Sequence, residues 1–289
     1  MNKLSRHAGT VLAVLLIAFL WGCRQVQKTG ISAPFPAPAS YAIYYGRLPV
    51  YRNLDRYDWV IVSDRFVPEH SSRTRYFAYL TVGEIDKGGT IARRLERTMG
   101  TRGFRALLLK TNPHWNSWIA DIRNPVFRRI LLDQVDRDRK KGFRGIFLDT
   151  LDSPLEYEEE HPSRGKGLRT ALVSFVRELH RHYPQTPVIV NRGFPILPRI
   201  ADSISGVLFE DFCSMYDDDR HLYVPVPEKD RQRELAFIRA ALKLNPGLTV
   251  LALDYGDSKD QNLQHHCDRM AKRARFIPFF SNRNLDAVP

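Results

Sequence analysis

Carboxylates stand where the apolar runs of this chain stop. In "GFRGIFLDTLDS", residues 142–153, the run Ile146-Phe147-Leu148 ends on Asp149, with Asp152 three residues on. "GVLFED" ends on Glu210 and Asp211, and "WVIVSD" ends on Asp64. "YFAYLTVGE" ends on Glu84 with Asp86 two beyond, and "LTVLALDYG" carries Asp254 and Tyr255. "YAIYYG" supplies Tyr45, "PVIVNRG" supplies Asn191 and Arg192, and "FIPFFSN" supplies Asn282. Two carboxylates facing one sugar ring are what glycoside hydrolysis requires, one as nucleophile or base and the other as proton donor. Asp149 and Glu210 are the natural pair, two runs apart and each at the end of its run. Any one of these acids alone reads as well as a helix cap or an arginine partner. Gathered at one rim, they point to a pocket.

Such a rim needs a scaffold. The eight runs are nearly all apolar rather than alternating, as in strands buried on both faces. Helical patterns lie between them. Over 125–141, Asn124 is placed to cap, Pro125 suits the first turn and Gly142 ends the helix. Residues 167–183 and 230–244 have the same amphipathic build, and 259–275 is a weaker example. Eight strands alternating with helices predict a single-domain α/β fold, a (β/α)8 TIM barrel over residues 41–289, with a doubly wound open sheet as the rival. "FRALLLK" (104–110) reads as part of the long excursion after the third strand. A barrel of this kind collects its chemistry at the C-terminal ends of the strands.

The chain has 289 residues, 43% of them hydrophobic, and a formal charge of +12. Lys and Arg crowd the helices while acids collect at the strand ends, so the basic charge is assigned to the outer surface and the pocket is expected to be acidic. An acidic cleft suits a hydroxyl-rich or cationic ligand and opposes a phosphate backbone, so nucleic acid is not an expected partner. No phosphate loop, nucleophile elbow or HExxH is present. His180 and His182 are two apart on a helix and cannot share a face. No cofactor and no metal are expected.

The N-terminus reads as an export signal. "MNKLSRH" is a charged n-region, and "AGTVLAVLLIAFLWG" is a short apolar h-region running up to Cys23. "LWGC" resembles a lipobox, with Cys23 the residue that would be lipidated. Residues 1–22 are thus a signal peptide. Residues 23–40, with Pro34, Pro36 and Pro38, are an extended tether behind the lipidated cysteine. The expectation is an exported lipoprotein, membrane-anchored through its lipid, facing periplasm or cell surface, with a monomeric barrel. Cys213 and Cys267 are able to pair in an oxidising compartment, but the favoured reading is two separate buried thiols.

"YLTVGEID", "WIADIRNP", "GIFLDTLDS", "VNRGFPIL", "GVLFEDF", "VLALDYGD" and "FSNRNLD" occur in one order from about residue 41 to the C-terminus. This ordered set resembles glycoside hydrolase family 114, the endo-α-1,4-polygalactosaminidase-like proteins. The resemblance implies a (β/α)8 barrel that cleaves α-1,4-linked galactosamine polymers, an amino-sugar polysaccharide substrate of the biofilm kind. It implies Asp149 as nucleophile and Glu210 as general acid/base of a retaining mechanism, with Glu84 and Asp152 binding sugar hydroxyls or amines. Tyr45, Asp64, Asn191, Asp211, Asp254 and Tyr255 are further substrate-binding candidates. Asp211 follows Glu210 where the family more often has an uncharged residue, so it competes for the acid role. Pro154 stands where an aromatic platform is expected, and Tyr157 is the candidate to replace it. The alternative is a non-catalytic polysaccharide-binding lipoprotein with the same barrel.

Overall fold

The computed structural model of the chain describes residues 36–46, 51–68 and 73–287. The lipidation candidate Cys23, the signal region and most of the tether lie outside the described residues. Ala39 and Ser40, at the tether's end, donate their backbone N–H groups to Asp58 Oδ2 at 2.7 and 3.1 Å.

Eight strands form one parallel sheet in strict chain order. They are β1 (Tyr41–Tyr44), β2 (Trp59–Val62), β3 (Arg75–Thr81), β4 (Gly145–Asp149), β5 (Val188–Asn191), β6 (Gly206–Glu210), β7 (Thr249–Tyr255) and β8 (Ile277–Ser281). β1 and β8 lie side by side, so the sheet curls into a nearly closed barrel. Sequential order excludes the doubly wound rival, which needs a reversal in strand order. All eight apolar runs became barrel strands. The reason is that parallel strands here are covered inside by the barrel core and outside by helices.

The helices include α1 (Thr90–Leu107), α2 (Pro125–Lys140), α3 (Asp152–Glu160), α4 (Leu168–His182), α5 (Glu228–Leu244) and α6 (Gln261–Arg273). Asn124 caps α2 as expected, its Oδ1 accepting from Val126 N and Phe127 N at 2.9 and 3.2 Å. Gly142 follows α2 at φ +104, a left-handed turn that glycine enters without steric cost. Gly145 opens β4 because a Cβ there would lie 2.3 Å from the Phe77 ring. The barrel interior is thus packed to contact at its base. Across it, the Tyr41 hydroxyl donates to Ala252 O at 2.7 Å.

Two β-hairpins rise at the C-terminal ends of the strands. After β3, Glu84–Asp86, Leu108–Asn112 and Ser117–Ala120 form a small antiparallel sheet. "FRALLLK" therefore divides between the end of α1 and this sheet, and it does belong to the excursion after β3. After β6, Ser214–Asp217 pairs with Leu222–Pro225. Cys213 and Cys267 form a disulfide with Cα atoms 5.4 Å apart, which corrects the expectation of separate thiols. A sequence separation of 54 gives no hint of that proximity. By loop entropy such a cross-link is worth on the order of 4 kcal/mol. It ties the segment just beyond Glu210 to α6. Among the described residues no helix is long and apolar enough to cross a membrane.

Candidate active site

Side chains of a strand alternate, so only every second residue faces the barrel axis. The inward set sorts the candidates. Ile43, Phe147, Leu208 and Leu253 form the floor of a cleft of about 690 Å³. Two residues further along the same strands, Tyr45, Asp149, Glu210 and Tyr255 form its working layer. Asn191 and Ser63 line the cleft with them from the ends of β5 and β2.

Three of these strand ends share one backbone device. Thr150, Arg192 and Asp211 follow Asp149, Asn191 and Glu210, and all three have left-handed φ values, +63, +50 and +60. Non-glycine residues in this region cost about 1–3 kcal/mol each and are held only where the surroundings demand it. The kink turns the chain aside directly after each working side chain and leaves that side chain at the mouth.

One amide joins the two central acids. Asn191 Nδ2 donates to Asp149 Oδ1 at 2.9 Å and to Glu210 Oε2 at 2.5 Å. Those two oxygens are therefore no further apart than the two bonds laid end to end. Tyr79 Oη donates to Asp149 Oδ2 at 2.7 Å, and Tyr255 Oη donates to Glu210 Oε1. Burial pushes the Asp149 carboxyl above its ordinary range, and the bonds from Tyr79 and Asn191 pull it partly back. Burial also raises Glu210, and the Asp149 charge beside it raises it further, against the bonds from Asn191 and Tyr255. One carboxylate and one proton-holding neighbour is the arrangement that acid-assisted displacement needs.

Around this pair, Glu84 and Asp152 line the cleft but are engaged within the protein. Glu84 accepts from Asn112 Nδ2 at 3.0 Å and from the hydroxyls of Ser117 and Ser153, which fixes the first hairpin to the rim. Asp152 accepts from Arg192 Nε at 2.8 Å and from Gly193 N at 3.1 Å. Arg192 also reaches Glu234 Oε1 at 3.0 Å and the carbonyl of Glu210 at 3.1 Å, so it braces the strand end that carries the acid.

Three candidates fall outside the cleft lining, all for the same reason. Asp64, Asp211 and Asp254 are each one residue out of phase with an inward neighbour, Ser63, Glu210, and Leu253 or Tyr255. Asp254 is 2% exposed and accepts from the backbone N–H groups of Cys213 and Ser214. It holds the chain after β6 rather than a ligand. Asp211 is half-buried with its Oδ1 out of solvent and unpaired, and burial and the Glu210 charge hold its carboxyl well above its usual range. Asp64 lines a separate small cavity behind Tyr79 and Thr81. Tyr157 is no platform either, being 2% exposed and packed on His161 with ring centroids 4.6 Å apart.

Several lining residues had no sequence signal of their own. Tyr79 lies inside β3, two residues before its end, and is legible only by counting alternation back from the rim. Trp115 and Arg283 come from loops outside the strand pattern. Among the described residues, one group of potential metal ligands lies close together, Cys213, Asp254 and Cys267, and both its sulfurs are in the disulfide.

A sequential eight-stranded barrel with a paired Asp and Glu at its carboxyl end places this chain in the (β/α)8 barrel class, with its chemistry gathered at the strand ends. The chain belongs to glycoside-hydrolase family GH114, whose profile matches residues 54–289. It is 30% identical to the glycoside hydrolase domain of PelA from Pseudomonas aeruginosa. That match covers 87% of this chain and 98% of that domain, with a TM-score of 0.71. Ega3 of Aspergillus fumigatus, solved in complex with galactosamine, shares the fold at 16% identity and a TM-score of 0.62, over 87% of this chain and 94% of that one. A Deinococcus radiodurans protein is 27% identical over 64% of this chain and 58% of its own length. A Thermotoga maritima protein is 24% identical over 55% of this chain and 51% of its own. The chain thus spans only between half and three-fifths of these two curated relatives.

Proposed function

We propose that this glycoside hydrolase cleaves an α-1,4-linked, galactosamine-containing polysaccharide by a retaining, two-carboxylate mechanism. The observation that carries the mechanism is the single Asn191 amide bonded to both acids. Bonded to both, it keeps one oxygen of each acid within two hydrogen bonds of the other, which favours the roughly 5–5.5 Å separation of retaining enzymes over the roughly 6.5–9.5 Å of inverting ones. Asp149 attacks the anomeric carbon while Glu210 gives its proton to the departing glycosidic oxygen. Glu210 then takes a proton from water, the water oxygen bonds to the anomeric carbon, and Asp149 is released. Acids outnumber the two arginines, Arg192 and Arg283, along the cleft, which favours a substrate bearing ammonium groups. The galactosamine bound by Ega3 and the family membership support the same substrate class.

The test is reducing-end release from a partly deacetylated α-1,4-galactosamine polymer beside a neutral α-1,4-glucan. Release from the first alone is expected. Binding of the polymer with no new reducing ends would instead support the non-catalytic polysaccharide-binding alternative.

We further propose export and lipid anchoring at Cys23. The n-region, h-region and lipobox-like "LWGC" support this, as does the disulfide, since such bonds persist in oxidising compartments. Cys23→Ser should move the protein from the membrane fraction to the soluble one. Unchanged membrane retention would refute the anchor.

A further inference from the structure

One lining residue of the cleft is an aromatic ring left in solvent. Trp115 is 65% exposed, the most exposed large hydrophobic side chain among the described residues. It stands on the turn between Leu108–Asn112 and Ser117–Ala120, and that turn is fixed. Pro113 opens it, Asn116 takes φ +50, and Lys87 N donates to Asn116 O at 3.0 Å. The hairpin starts beside β3 but its tip reaches the loop after β8, where the Arg283 guanidinium lies 5.8 Å from the Trp115 ring centroid. Arg283 lies at the same time 4.9 Å over Tyr216 and pairs with Asp218 on the second hairpin. Tyr216 in turn packs edge-on against Tyr223 with centroids 5.1 Å apart. Three separate loops therefore converge to place one ring and one cation along the cleft. The acids Glu84, Asp86, Asp152 and Glu156 come from the segments after β3 and β4.

We infer that Trp115 and Arg283 form a sugar subsite selective for an uncharged, N-acylated hexosamine unit. The inference rests on the amino-sugar reading of the cleft. An exposed indole offers a flat apolar face for the C–H face of a pyranose, and burying it there recovers area that folding left exposed. Arg283 sets the selectivity. A guanidinium has five N–H donors and no acceptor, so it bonds an acetamide carbonyl and has nothing to offer an ammonium. An ammonium brought up to it meets like charge, which an uncharged acetamide does not. The cleft then offers acids for free amines and, at Trp115 and Arg283, an aromatic-cationic patch for an acylated unit.

Steady-state kinetics of the full chain on a fully deacetylated and a half N-acetylated galactosamine polymer test this, comparing wild type, Trp115→Ala, Trp115→Tyr and Arg283→Gln. Trp115→Ala should raise KM for the half-acetylated polymer about tenfold, with kcat little altered, and raise it far less for the deacetylated one. Trp115→Tyr should restore most of the loss. Arg283→Gln should narrow the preference between the two polymers. Equal effects of Trp115→Ala on both polymers, or none, would overturn the subsite. A wild type that cleaves neither polymer would overturn the amino-sugar reading and the subsite with it.

Discussion

Asp149→Asn should yield a folded barrel that no longer cleaves its polymer. The expected loss in kcat is on the order of 10⁴-fold or more, because an amide nitrogen or oxygen in that place cannot form and release the glycosyl ester. The fold should survive for a stated reason. Asn has the shape of Asp and keeps one acceptor oxygen for either Tyr79 or Asn191, the two donors that Asp149 satisfies. Its amide group then meets the other donor. Where that is Tyr79, the phenol oxygen can turn to accept, and the mismatch costs about 1 kcal/mol. The substitution also removes a half-buried carboxylate whose ionisation its surroundings already oppose. Reducing-end kinetics together with a thermal melt check both halves. Cleavage within tenfold of wild type would remove Asp149 from the mechanism.

The second large effect is at Glu210. Glu210→Gln should lower cleavage of the polymer by about 10²–10⁴-fold, the usual range for a lost general acid. The loss should be much smaller on an aryl glycoside whose leaving group departs without a proton. On that substrate the second step should become limiting, since no base activates water, and a burst of released aglycone should appear. The pH profile supplies an independent reading. Glu210 must hold its proton to act, and burial and the Asp149 charge raise its carboxyl above its ordinary range. Activity should therefore fall as pH rises through that raised value, and the falling limb should vanish in Glu210→Gln. The limb reports Glu210 with the Asp149 charge beside it. A wild-type falling limb that persists in Glu210→Gln would pass the acid role to another group. Asp211 is the group to examine then, being adjacent, half-buried and also raised.

The comparison of candidates shows what a strand-end pattern can and cannot say. Asp64, Asp211 and Asp254 end their runs as plainly as Asp149 and Glu210 do, yet none lines the cleft. Alternation decides between them. Within β7, Leu253 and Tyr255 face the axis, so Asp254 between them faces away and caps the backbone after β6. That parity was already present in the sequence, but it becomes usable only once one residue of each strand is known to point inward. Glu84 and Asp152 lie beyond the strands, where parity gives no guidance. The structure shows them at the cleft but already engaged by Ser153, Ser117, Asn112 and Arg192.

The sequence alone favoured the barrel, with the doubly wound sheet as its rival until the strand order was seen. Burial on both faces forces apolar runs, helices between them force parallel strands, and the number and order of the runs leave few topologies. It also determined that the acids Asp149 and Glu210 sit at strand ends two apart. Contacts between residues distant in the chain emerged only from the folded molecule. These are the Asn191 amide between the two acids, the Cys213–Cys267 bond and the meeting of Trp115 with Arg283. Each depends on where loops of different strands come together above the barrel. Loop ends carry no periodicity, so their contacts are set by packing in three dimensions rather than by spacing along the chain.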